Sequence, residues 1–104
     1  MTDDALEHGA RAIEEEVGRL AREAGVVLVT THWNGEEGLH PEASTQVLML
    51  TGTARVEEAV LRTDAIIAAA DSGPDAAAAA AVRGAVEQLR HSEPHGDVPT
   101  GGGG

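Results

Sequence analysis

Three kinds of hydrophobic pattern run along the chain. Leu6, Ala10, Ile13, Val17, Leu20 and Ala24 are spaced 4, 3, 4, 3, 4, the repeat of an amphipathic helix with a heptad seam. This predicts one helix over residues 3–24, with Thr2 or Asp3 capping its start and Gly25 ending it. Val26-Val27-Leu28-Val29-Thr30-Thr31 and Val47-Leu48-Met49-Leu50 are β-branched or apolar runs without alternation, and they predict two strands covered on both faces. Beyond them a stripe of Val56, Val60, Thr63, Ile67 and Ala70 predicts a second helix over residues 54–70, introduced by the turn Thr51-Gly52-Thr53. Asp71-Ser72-Gly73-Pro74-Asp75 reads as a stop and restart, with Pro74 at a first helical position. A third helix then follows to about His91. Its alanine run, Ala76 to Ala81, favours helix and close packing.

The expected order is helix, strand, strand, helix, helix: a small two-layer α+β domain over residues 1–92. A two-stranded sheet alone is marginal in water, so dimerisation is expected to complete it. The dimer surface is expected at a strand edge or at the seam of Leu6, Ile13, Val17 and Leu20. Residues 93–104 carry Pro94, Pro99 and a run of glycines and read as a disordered tail. Its end resembles ubiquitin-like modifiers and sulfur carriers in the terminal Gly-Gly alone. That fold opens with a hairpin and this chain with a long helix, so the end is read as low-complexity sequence.

Composition narrows the function classes. The 104 residues carry 18 acidic and 7 basic side chains, a net charge of −11, with no Cys, Phe or Tyr and one Trp. The absence of Cys excludes disulfides, thiolate nucleophiles and Cys-based zinc sites. The negative charge, with no basic stripe, argues against nucleic acid and against anionic membranes. No apolar run approaches the roughly 20 residues of a membrane helix. The start, M-T-D-D-A-L-E, lacks the basic and apolar regions of a signal peptide, so the expected location is the cytoplasm. The aliphatic residues are few, and a small core favours self-association.

Candidate chemistry concentrates between the two strands. The segment His32-Trp33-Asn34-Gly35-Glu36-Glu37-Gly38-Leu39-His40 holds two His, two Glu and the single Trp. Imidazole and carboxylate together suit a divalent metal such as zinc, iron or nickel, or acid–base work. His32, Trp33, Glu36, Glu37 and His40 are therefore the ligand or metal candidates. The spacing fits no metal motif, and the competing expectation is a solvated loop with Trp33 packed over the sheet edge. Thr51, Gly52 and Thr53, placed between a strand and a helix start, are a weaker anion-binding candidate. Glu14-Glu15-Glu16 offers an acidic face to a basic partner.

Two functions are expected from these residues. The first is a non-enzymatic, acidic, homodimeric module that binds itself and another protein in a regulatory or accessory role. The alternative is a small-ligand or metal-binding protein, a hydrolase or isomerase included, built on residues 32–44 with His32 or His40 as base and Glu37 beside it.

Overall fold

The structure is a computed structural model, and it describes residues 2–92. The tail expected at 93–104 lies outside the described residues. The chain runs α1 (Thr2–Ala24), β1 (Thr30–Trp33), β2 (Thr45–Thr51), β3 (Val56–Arg62), α2 (Thr63–Ser72) and α3 (Ala76–Ser92). The three strands form an antiparallel meander in the order β1-β2-β3. The α+β class and the helices at both ends of the chain are as the pattern predicts. The additional element is β3.

Residues 56–62 form a strand and not the first half of a helix. Val56 and Val60 are four apart, which suits a helical stripe, but the segment also alternates. Ala59 and Leu61 are buried whereas Val56, Glu58, Val60 and Arg62 are exposed. Pairing with β2 decides between the two readings, because β2 presents a full-length edge to which β3 adds in register from Thr51↔Val56 to Thr45↔Arg62. Thr51-Gly52-Thr53 accordingly starts a hairpin and not a helix, closed by the Gly52 N–H to the Arg55 carbonyl at 2.9 Å. The helix begins at Thr63.

α1 ends at a glycine for a geometric reason. Gly25 has φ 74°, and the Gly25 and Val26 N–H groups return to the carbonyls of Arg22 and Ala21, the paired bonds of a left-handed helix stop. At the start of α3 the Asp75 carboxylate accepts the Ala78 N–H at 2.8 Å. Asp75 therefore caps α3, and Pro74 lies just before the helix instead of inside it.

The core lies between one face of the sheet and the helices. Leu6, Ile13, Val17 and Leu20 are buried there with Trp33, Leu48, Leu50, Leu61, Ile66, Val82, Val86 and Leu89. The seam expected as one of two dimer surfaces is thus occupied by the chain's own core. Both strands were expected to be covered on two faces, and β2 shows otherwise. Gln46, Leu48 and Leu50 are buried, whereas Val47, Met49 and Thr51 are only partly so. Among the described residues nothing packs as a second layer on that other side.

Gly9 sets how closely α2 approaches α1. A Cβ placed there would lie 1.7 Å from the carbonyl oxygen of Ile66. The two helices meet backbone to backbone at this point, an approach that only glycine permits.

Candidate functional site

The segment rich in His and Glu is an ordered loop organised by a residue outside it. Asn34 and Gly35 both adopt positive φ, 53° and 67°, and turn the chain immediately after β1. Asn is among the few side-chain-bearing residues that accept this conformation. Its backbone N–H bonds to the Val47 carbonyl at 2.7 Å and its side-chain oxygen accepts the Val47 N–H at 3.0 Å, so it continues the ladder past Trp33. Its amide also donates to the Gly38 carbonyl at 2.8 Å.

Gln46 is the hub. It is fully buried, at 0% exposure, in a strand whose neighbouring inward positions are leucines. Its Oε1 accepts from Asn34 Nδ2 at 2.7 Å and from the His40 N–H at 3.0 Å. Its Nε2 donates to the His40 carbonyl at 2.7 Å and to Thr63 Oγ1 at 2.8 Å. Thr63 passes the network on to the Ala43 carbonyl at 2.6 Å. Both amide hydrogens and both acceptor positions of Gln46 are thereby used, the condition under which a buried amide is tolerated.

The five ligand candidates do not converge. Trp33 points into the core, 7% exposed, and its Nε1 donates to Glu14 Oε2 on α1 at 2.6 Å. His32 precedes it on the strand and is exposed on the opposite side of the sheet. Glu36 is exposed. Glu37 and His40 do meet, at 2.8 Å, as a pair open to solvent. No three His, Asp or Glu side chains among the described residues are grouped as a metal ion needs. Gln46 holds His40 through its backbone N–H and C=O, while the His40 ring meets the exposed Glu37 carboxylate.

Thr51, Gly52 and Thr53 lose the basis of their anion-binding role. That role needs the free N–H groups of a helix start, and here a hairpin joins two strands. The acidic run on α1 has a structural use as well: Glu14 holds the Trp33 indole, and Glu16 with Glu23 holds Arg19.

The surface that stands out is the side of the sheet turned away from the helices. Among the described residues the exposed large aliphatic side chains are Val27, Val29, Val56 and Val60, between 43% and 60% exposed. All four belong to the sheet or to the extended segment leading into β1. The register sets His32 beside Met49 and Met49 beside Glu58, with Val47 beside Val60 and Thr45 beside Arg62. This face is mixed, apolar at its centre with charge at one margin. Arg62 is oriented there by two hydrogen bonds to Asp64, at 3.1 and 2.9 Å. The Arg62 guanidinium in turn holds the Asp64 carboxyl below the usual carboxylate range.

The edge of β3 belongs to the same surface. Hydrogen bonds from Gly52 to Arg55 and from Thr63 to Ser44 fix the phase of the ladder, so residues 57, 59 and 61 bond to β2. The backbone N–H and C=O groups of Val56, Glu58, Val60 and Arg62 point away from the sheet. Among the described residues no backbone partner takes up those of Val56, Glu58 and Val60, whereas Arg62 is the N-cap of α2 and its carbonyl belongs to the first turn of that helix. A groove of about 500 Å³ runs beside this edge, lined by Val60, Arg62, Ala65, Ala68 and Ala77 among others.

Val60 was expected on a helical stripe and not on a sheet, with Glu58 and Arg62 as a pair on that helix, and neither these three nor Gln46 and Asn34 were expected as site residues. The Asn34-Gly35 pair is a turn signal that was available. A Gln inside an otherwise aliphatic run was the signal for Gln46.

No protein family, curated protein or solved structure matches the chain. None of the helices among the described residues is long and apolar enough to cross a membrane.

Proposed function

We propose that this chain is a non-enzymatic, acidic interaction module of the cytoplasm, which associates with a second copy of itself and in that form docks another protein in a regulatory or accessory role. The observation that carries this reading is the open side of the sheet, where Val27, Val29, Val56 and Val60 stand exposed next to a strand edge without a partner among the described residues. Exposed β-edges with apolar flanks are surfaces that proteins either blunt or use. β3, Val-Glu-Glu-Ala-Val-Leu-Arg, carries no proline or bulge, and its charges are of both signs, Glu57 and Glu58 with Arg62, so they can be matched by a partner strand as well as repel one. The dispersal of His32, Trp33, Glu36, Glu37 and His40 removes support from a catalytic or metal-binding role for the loop. The satisfied Gln46 network supports a loop whose purpose is to hold β1, β2 and α2 together.

The test is the mass of the protein in solution. Light scattering coupled to size exclusion, at micromolar protein and 150 mM salt, is expected to give twice the chain mass. Val60→Asp is expected to return the single-chain mass with an unchanged far-ultraviolet spectrum, because the site is exposed in the monomer and a carboxylate there is costly only once buried. A wild type that stays monomeric up to high concentration overturns the reading.

A further inference from the structure

We infer that the second copy adds at the β3 edge, two-fold related about Val60, so that two three-stranded sheets join into one of six strands. The inference rests on the self-association proposed above and specifies its geometry. The outward backbone groups belong to even-numbered residues, so an antiparallel partner must set an even residue opposite an even residue. That leaves few registers, and side-chain chemistry separates them. With the axis at Val60, each Val60 faces the partner's Val60, and each Glu58 faces the partner's Arg62, an arrangement made twice by symmetry. Shifting the axis to residue 58 sets Glu58 against the partner's Glu58. Shifting it to residue 62 sets Arg62 against the partner's Arg62. An axis at residue 59 leaves Glu58 against the partner's Val60 and Arg62 against the partner's Val56. Residues directly opposite on antiparallel strands have their side chains on the same face about 5 Å apart. Over the residues that overlap as strand, 58–62, only the Val60 register therefore pairs opposite charges and sets the apolar residue against itself; beyond them each Val56 meets the start of the partner's α2.

The surroundings accommodate a second strand. α3 packs against β3, and it turns Ala76, Ala77, Ala80 and Gly84 to solvent. These residues are too small to hold off a neighbouring copy. The groove beside the edge is walled by Ala65, Ala68 and Ala77. Arg62 stands at the end of β3 already oriented by Asp64. The opposing term is the net charge of −11 on each chain, a repulsion that salt screens beyond about 8 Å at physiological strength, whereas the backbone pairing and the Val60 contact are short-range.

Because the chain has no cysteine, single-cysteine variants report the register directly. In this arrangement the two Val60 Cα atoms are about 5.5 Å apart, within disulfide range. The two Val56 positions are separated by roughly 27 Å along the strands. Under mild oxidation Val60→Cys is expected to form a covalent dimer and Val56→Cys is not. Charge supplies the second arm. Glu58→Arg and Arg62→Glu are each expected to weaken self-association at least tenfold, and an equimolar mixture of the two is expected to associate as heterodimers at the wild-type level. Cross-linking at Val56 with none at Val60, or a mixture no more associated than its components, in a protein that still dimerises, overturns this register and leaves the proposed function standing. A monomeric wild type overturns both.

Discussion

Three glycines inside helices make a controlled comparison of one substitution in three surroundings. Gly9 and Gly18 lie in α1 and Gly84 lies in α3. In a helix interior, Gly→Ala gains about 1 kcal/mol of propensity where nothing else changes. A methyl at Gly84 meets nothing within 4 Å, and one at Gly18 meets only the end of the Arg22 side chain at 3.6 Å. Both variants are expected to be more stable than the wild type, by about 0.5–1 kcal/mol. At Gly9 the same methyl would lie 1.7 Å from the Ile66 carbonyl oxygen and 2.5 Å from its carbon. These are main-chain atoms and cannot swing aside. α2 must move away from α1 by more than an ångström, which opens the packing around Leu6, Ile13 and Ile66. Overpacking of this kind costs about 1–3 kcal/mol, occasionally more, and backbone contact places Gly9 at the upper end. After the propensity gain, Gly9→Ala is expected to lose about 2 kcal/mol. For a domain of this size that corresponds to a fall of about 10 °C in melting temperature.

Urea and thermal unfolding followed by circular dichroism, all variants at one protein concentration, would measure the set. The fixed concentration matters because self-association makes the midpoint depend on it. The decisive quantity is the sign difference between Gly9 and the other two. A Gly9→Ala protein as stable as Gly84→Ala would mean that α1 and α2 do not meet backbone to backbone, and the account of how α2 is seated would fail.

Other expectations follow from the polar contacts. Gln46→Leu leaves the His40 N–H and C=O without their side-chain partner, at about 1–3 kcal/mol for each buried group, and is expected to cost about 3 kcal/mol by urea unfolding, whereas His40→Ala retains those backbone bonds and is expected to be nearly neutral. Glu14→Ala removes the acceptor of the Trp33 indole; a loss of about 1–2 kcal/mol and a shift in the emission of this single tryptophan are expected, and unchanged emission would count against the contact. The Asp64 carboxyl, held down by Arg62, is expected to titrate below the usual range in a carbon-detected magnetic resonance experiment and to return toward it in Arg62→Gln. Because the folded value is the lower one, the pair favours the fold at pH above the ordinary carboxylate range, and that contribution disappears as pH falls through the Asp64 value.

Much of the fold was legible because the helices announce themselves by period. The spacing of Leu6, Ile13, Val17 and Leu20 admits only a helix, and all four are buried. The end of α1 follows from Gly25, and the start of α3 was legible to within two residues, expected at Pro74 and capped instead by Asp75. β3 was not legible for a specific reason: Val56, Val60 and Thr63 satisfy a helical period, while Ala59 and Leu61 between them satisfy a strand period. Seven residues are too few for either period to dominate. A long-range interaction settled the matter, since the edge of β2 rewards a strand with a ladder of backbone bonds that no local propensity encodes. The helix start expected after Thr51-Gly52-Thr53 changed with it, because that tripeptide has one meaning before a helix and another inside a hairpin.

The loop's candidate ligands lie apart for a related reason. Residue types that could bind a metal were close in sequence, but His32 and Trp33 are consecutive strand residues and so point to opposite sides of the sheet. Sequence proximity inside a strand separates side chains, whereas pairing between strands assembles them. The same rule that disperses the presumed ligands brings Val47 beside Val60 and Met49 beside Glu58. It also leaves Glu58, Val60 and Arg62 in a row along the edge of the sheet. In this chain Gln46 ties the His- and Glu-bearing loop to β2 and α2, while the surface proposed above for self-association is made of Glu58, Val60 and Arg62 on one strand. Their arrangement matters because β3 is the last strand, where outward backbone groups and alternating side chains can be read together by an identical strand running the other way.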